Sequence, residues 1–206
     1  MKRIVVRICL LMFLTGSVAG ILLSGCKPHV NVSSQTNDLK STDTEPAGES
    51  LYQTAGKWDD QNGDTIRLSE LKGKIPVVSM VFTRCPYACP RIVEDMRAIE
   101  KQLPADKKDK VVFVLITFDS DRDHTQELKE FTNKMKLDKQ WLVLHGDEED
   151  VKELSMLLDV KYKKQPNGDF SHSSSITLLD TKGAIAVKTE GLGIDPKAIL
   201  EKISTL

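Results

Sequence analysis

Two cysteines carry the most reactive chemistry in the chain. The segment Phe82-Thr83-Arg84-Cys85-Pro86-Tyr87-Ala88-Cys89-Pro90 sits where an apolar run hands over to a helical pattern. Pro86 and Pro90 bias the cysteines before them away from the helical region. Pro90 suits the first helical position, which makes Cys89 the expected N-cap. Cys85 is one short loop away, so both sulfurs can converge near the positive end of a helix, beside Arg84 and Arg91. That setting lowers a thiol pKa and favours thiolate. Two thiolates suit a redox disulfide or a soft metal ion. A static structural disulfide is the bland alternative. A loop this short closes little chain entropy, so such a bond would stabilise only modestly.

A second cluster, Asp169-Phe170-Ser171-His172-Ser173-Ser174-Ser175, lies just before a strand pattern. Polar residues at the mouth of an α/β sheet read as a ligand-facing loop. His172 is the candidate third ligand to the thiol pair, and a solvated loop histidine is the alternative. Two thiolates and one imidazole suit copper in a trigonal set. They also suit zinc, which usually wants a fourth ligand. A third cluster, Thr117-Phe118-Asp119-Ser120-Asp121-Arg122-Asp123, ends a buried strand at the same sheet edge as the cysteines. Asp119 and Asp123 are candidates to orient the histidine or a partner's basic group. Helix capping by Asp121 or Asp123 is the competing use. His124 reads as exposed at a helix start, and His145 ends a strand with no partner in view. Met80, Met96 and Met135 fall in core periodicity.

These residues need a scaffold, and the apolar pattern supplies one. Asn62-Gly63, between short runs from Lys57 to Leu68, signals a β-hairpin. Ile75 to Phe82 and Val111 to Phe118 are continuous apolar strands of the kind buried on both faces. Trp141 to Leu144, Ser175 to Leu179 and Ala184 to Lys188 are further strands. Helices are predicted from Pro90 to Leu103, Asp123 to Lys136 and Asp147 to Leu158, and a last one opens at Asp195-Pro196. Strands alternating with helices imply a parallel central sheet with a final antiparallel hairpin. The fold class is therefore α/β, and the order resembles the thioredoxin fold: a central mixed sheet flanked by helices, with an N-terminal β-hairpin extension.

The chain has 206 residues and a net charge of −1, which leaves no electrostatic footprint for nucleic acid. Four cysteines are too few for a disulfide scaffold in a domain of this size. Residues 1–25 carry Lys2, Arg3 and Arg7 and no acid, followed by an apolar stretch from Ile8 to Leu23. That is the layout of an export signal, and the stretch is short for a membrane span. It ends in Leu23-Ser24-Gly25-Cys26, which resembles the lipobox of bacterial lipoproteins, where cleavage precedes a lipidated cysteine. A signal anchor with an incidental cysteine is the alternative. Residues 26–50, rich in polar residues, then read as a flexible tether carrying lipidated Cys26, and residues 51–206 as the folded domain.

Taken together, the ordered motifs resemble the Sco/SenC family of copper-handling thioredoxin-fold proteins. They are Phe82-Thr83-x-Cys85-Pro86-x-x-Cys89-Pro90, then Asp119-x-x-Arg122-Asp123, then His172-Ser173 followed by Leu178-Leu179-Asp180 and Gly183. The resemblance covers roughly residues 55–205. It implies that Cys85, Cys89 and His172 ligate copper, as Cu(I) or Cu(II), with Asp119 and Asp123 accessory. It implies a metallochaperone that serves the dinuclear copper centre of a terminal cytochrome oxidase. The partners would be a copper-receiving oxidase subunit and, through the lipid anchor, an extracytoplasmic bacterial membrane surface. Tyr87 stands where the family often has an acid, and Ser120 where it often has proline. The alternative function is a membrane-tethered thiol–disulfide oxidoreductase in which Cys85 and Cys89 are the reacting pair. A weaker third reading is a peroxidase.

Overall fold

The structure is a computed structural model and describes residues 50–206. The signal-like segment, Cys26 and the tether up to residue 49 lie outside the described residues. Among the described residues the strands are β1 (Trp58–Asp60), β2 (Thr65–Ile66), β3 (Ile75–Val81), β4 (Val111–Thr117), β5 (Trp141–His145), β6 (Tyr162–Lys164), β7 (Phe170–His172), β8 (Ser175–Leu179) and β9 (Ile185–Glu190). The helices are α1 (Ala88–Lys101), α2 (Thr125–Met135), α3 (Glu148–Leu157) and α4 (Lys197–Thr205).

Seven strands form one mixed sheet in the order β2-β1-β5-β4-β3-β8-β9. The middle three, β5, β4 and β3, are parallel; β1 and β8 join them antiparallel. Every residue of β3 is buried, as is nearly all of β4, because helices cover both faces of a parallel centre. The predicted N-terminal hairpin is present, and β1 pairs with β5, so it extends the sheet at that edge. Its turn needs Gly63, which adopts φ +90°, and the Asp60 carboxylate accepts the backbone N–H groups of Asn62 and Asp64. The result is the thioredoxin-like α/β architecture expected from the element order.

The core sits between the sheet and its helices. Helix α1 buries Ile92, Val93, Met96 and Ile99, spaced for one face. Phe113 stacks on Trp141 at 4.7 Å. Side chains of this size contribute about 1.5–3 kcal/mol each when fully buried, so this centre holds the strand ends rigidly.

Three expectations about local structure need correction. Helix α1 begins at Ala88, with Tyr87 as N-cap, so Cys89 is its second residue and Pro90 its third. The first turn has no use for its N–H groups within the helix, which is why proline is tolerated there. The segment before β8 is not simply a loop. Residues 170–172 form β7, which pairs antiparallel with β6 in a separate two-stranded sheet, Tyr162 opposite His172. The last helix starts one residue later than the Asp195–Pro196 pair predicts, at Lys197 with Pro196 as N-cap, and the Asp195 carboxylate accepts the Lys197 N–H at 3.0 Å just ahead of it.

Candidate metal centre

The site is built at the C-terminal edge of the parallel strands. Immediately after β3 the chain turns tightly, with Cys85 N–H donating to the Phe82 carbonyl at 3.2 Å. Asp123 holds that turn in place. Its carboxylate accepts from the Thr83 N–H at 2.8 Å, the Thr83 hydroxyl at 2.5 Å and the Thr117 hydroxyl at 2.6 Å. One buried carboxylate thus ties the ends of β3 and β4 together, two residues before Cys85. Asp123 is neither an orienter of His172 nor a simple helix cap.

The two sulfurs end up in different surroundings. Cys89, in the first turn of α1, is fully buried, and its sulfur accepts the Phe82 N–H at 3.4 Å. Cys85 is 6% exposed, and its sulfur accepts the Cys89 N–H at 3.3 Å. Both are free thiols. Donation from the Cys89 thiol, opposed by burial and helped by His172 and two backbone N–H groups, brings the Cys85 pKa down to about 3. Burial first, then the negative charge and hydrogen bond of Cys85, push the Cys89 thiol up. Cys85 is therefore the more acidic of the two and Cys89 the one that keeps its proton longer. The arginines are not the cause: Arg91 pairs with Asp95 at 3.4 Å. The expectation of thiols lowered at the helix start holds for Cys85, which receives backbone N–H groups there, and is corrected for Cys89, which is raised, and for the arginines, which take no part.

His172 arrives at the end of β7. Its Nδ1 lies 3.0 Å from the Ser173 carbonyl, so that nitrogen donates there and Nε2 is the one left to meet the Cys85 sulfur, as a donor when protonated and as a metal ligand when not. Phe118 and Phe82 wall the ring, at 5.0 and 6.0 Å between centroids. Hydrogen bonding to Cys85 opposes the effect of burial and raises the imidazole pKa above its ordinary value. The ligand atoms of Cys85, Cys89 and His172 all lie within 4.8 Å of one another. The donor set, two sulfurs and one imidazole nitrogen, fits a soft ion in trigonal coordination, and copper above the other first-row metals.

Asp119 works at one remove. It is 1% exposed and accepts from Arg122 Nε at 2.6 Å. The Arg122 guanidinium donates onward to the Gly168 carbonyl in the turn between β6 and β7, and lies over the Phe170 ring at 5.9 Å. Asp119 thus anchors an arginine that holds the hairpin carrying His172. The role of Arg122 was not derivable from its spacing, although the residue stands in the Asp-x-x-Arg-Asp pattern. Phe82 and Phe118 were legible as core residues but not as walls of the site.

Comparison with known proteins agrees with this geometry. The SCO1/SenC family model matches residues 46–206. A Stutzerimonas stutzeri protein, named a candidate copper-binding protein, is 32% identical over 130 residues, 61% of this chain and 63% of that protein. The match therefore spans somewhat less than two thirds of that relative's length. A SCO1/SenC family lipoprotein from Bacillus anthracis superposes with a TM-score of 0.67 at 28% identity, covering 76% of this chain and 95% of that one. Bradyrhizobium japonicum ScoI, solved with copper bound, gives 0.59 at 26% identity, covering 73% of this chain and 96% of that one. With the motif order, the thioredoxin-like sheet and the converging sulfur and imidazole donors all in agreement, this chain belongs to the SCO1/SenC family.

Proposed function

We propose that the chain is a copper metallochaperone, with copper as its cargo and Cys85, Cys89 and His172 as the ligands. The single observation that carries this reading is the convergence of three ligand atoms from two distant segments within 4.8 Å. Copper relatives supply the identity of the ion: the Bradyrhizobium protein holds copper on the same fold. Cys85 presents a ready thiolate, Cys89 gives up its proton on binding, and His172 offers Nε2. Three ligands leave copper open to an incoming sulfur or nitrogen, so transfer proceeds by ligand exchange with the acceptor. The acceptor is a copper protein, and the resemblance points to the dinuclear centre of a terminal oxidase. The protein acts exported and tethered by lipid on Cys26 at an extracytoplasmic membrane surface; the Bacillus relative is named a lipoprotein.

A second reading, thiol–disulfide exchange, is favoured by the asymmetry of the two sulfurs. The Cys85 thiolate attacks a disulfide in the partner, forming a mixed disulfide and releasing one partner thiolate. Cys89, after losing its proton, attacks the Cys85 sulfur, releases the second partner thiolate and leaves the Cys85–Cys89 disulfide. The partner gains two electrons and this chain loses them.

Anaerobic Cu(I) titration of the reduced protein beside His172→Ala separates the two. Chaperoning requires one-to-one binding, lost in Cys85→Ser and Cys89→Ser and weakened by about tenfold or more in His172→Ala. Disulfide reduction survives the histidine change. Absence of Cu(I) binding by the parent protein would leave exchange as the function.

A further inference from the structure

The two ends of the central sheet carry opposite charge. The loops leading into β3, β4 and β5 meet the β8–β9 turn at one pole. There the Gly73 N–H donates to the Thr181 carbonyl, the Ile75 N–H to the Lys110 carbonyl and the Phe113 N–H to the Gln140 carbonyl, each at 2.9 Å. Lys72 and Lys74 precede β3, and Lys107, Lys108 and Lys110 precede β4. Lys136 and Lys139 precede β5, and Lys182 sits in the β8–β9 turn. All but the half-buried Lys107 are exposed and have no ion-pair partner among the described residues. The same segments hold four acids, Asp106, Asp109, Asp138 and Asp180, which leaves an excess of four positive charges. At the opposite pole stand the loops after β3, β4 and β5, residues 82–87, 118–124 and 146–149. They hold six acids against Arg84 and Arg122. The lysines of the β6–β7 hairpin reduce that negative excess without reversing it. Cys85, Cys89 and His172 lie at this acidic pole.

The chain enters the domain at the basic pole. The Ser50 hydroxyl donates to the Lys182 carbonyl, and the Leu51 N–H donates to the Gly183 carbonyl at 2.9 Å. The segment from Cys26, read as a tether from its composition, therefore joins the domain beside the lysines. We propose that this pole docks on an anionic phospholipid surface, the one from which the chain hangs, and so turns the copper centre away from the membrane. That placement rests on the reading of Cys26 as the lipidated residue. Lysines are drawn to anionic headgroups only within about a Debye length, roughly 8 Å at physiological salt, so they act once the anchor brings the pole close. The same field repels the acidic pole. Both effects point the copper centre outward, towards an acceptor that stands off the membrane.

The test uses the chain as exported, reconstituted on vesicles of phosphatidylglycerol or of phosphatidylcholine. Brief acetylation followed by peptide mapping reads each lysine. Lys74, Lys108, Lys110, Lys139 and Lys182 should be protected about threefold or more on phosphatidylglycerol relative to phosphatidylcholine, with Lys163 labelled alike on both. Raised salt should erase the protection. Lys108→Glu combined with Lys110→Glu and Lys139→Glu, all at exposed positions, should erase it at Lys74 and Lys182 and leave Cu(I) affinity unchanged. Equal labelling on the two lipids, or protection that survives salt or the triple variant, would overturn the proposal. A chain that fails to float with phosphatidylcholine would overturn the anchor instead. Salt-sensitive protection on phosphatidylglycerol would then still decide for or against the pole.

Discussion

Cys85 and Cys89 are four positions apart and differ in what their sulfurs receive. The Cys85 sulfur takes hydrogen bonds from Cys89 and stands against His172, while Cys89 lies deeper with its proton retained. Two predictions belong here. Iodoacetamide added to the reduced protein at pH 5 should alkylate Cys85 in preference to Cys89 by about tenfold or more, as peptide mapping would show. In His172→Ala the same reaction should need higher pH, because a hydrogen bond that lowers the Cys85 pKa is gone. The second prediction concerns acid. The pKa of Cys85 is about 3, so between pH 8 and pH 5 protons compete with Cu(I) at Cys89 and His172, not at Cys85. Affinity measured against a Cu(I) chelator should fall steadily over that window, with a shallower slope in His172→Ala. The cysteine pair was legible because two prolines frame it. Its asymmetry was not, since it depends on which sulfur lies nearer the core.

At the scale of elements, β3 and β4 were readable because unbroken apolar runs announce strands covered on both faces. The β6–β7 hairpin was not. Tyr162–Lys164 and Phe170–His172 are short, partly exposed and without clean alternation. They are held from outside, by stacking of Tyr162 on Phe118 at 5.2 Å and by Arg122 at the Gly168 turn. Such long-range support leaves no periodic trace in a sequence. Arg122→Ala should therefore do two things. It strips the partner from a carboxylate that is 1% exposed, which costs about 3–5 kcal/mol when a buried pair is broken. It also frees the hairpin, so Cu(I) affinity should drop while Cys85 keeps its reactivity at pH 5. A denaturant melt, a Cu(I) titration and the alkylation assay check the three outcomes. Loss of the Cys85 reactivity as well would show that Arg122 supports the whole sheet edge and not the hairpin alone.

For the whole molecule, the division into signal, tether and domain rests on composition, and the domain alone falls within the described residues. The net charge of −1 includes three basic residues of the signal-like segment, so the remainder is more acidic than the whole. With Cys26 as the lipidated residue, Cys26→Ser should shift the protein from the membrane fraction to the soluble fraction on export, while the isolated thiol chemistry stays unchanged. Fractionation followed by mass measurement of the N-terminus reads both the anchor and the cleavage point. The fold class was readable at this scale because element order survives errors in element boundaries. A helix that begins at Ala88 in place of Pro90 still delivers Cys89 to the same sheet edge.

The His172 hairpin lies outside the seven-stranded sheet, and that separation sets a clock. A two-stranded sheet of this length is marginal alone, so it should open more often than β3 to β5. In the copper-free protein its amides should exchange with solvent deuterium well before those of the central strands. Cargo held by His172 should slow that exchange, because each opening must then also break a metal bond. Access of an acceptor's ligand to the copper would follow the opening rate of this one hairpin, with the two sulfurs holding the ion until exchange completes.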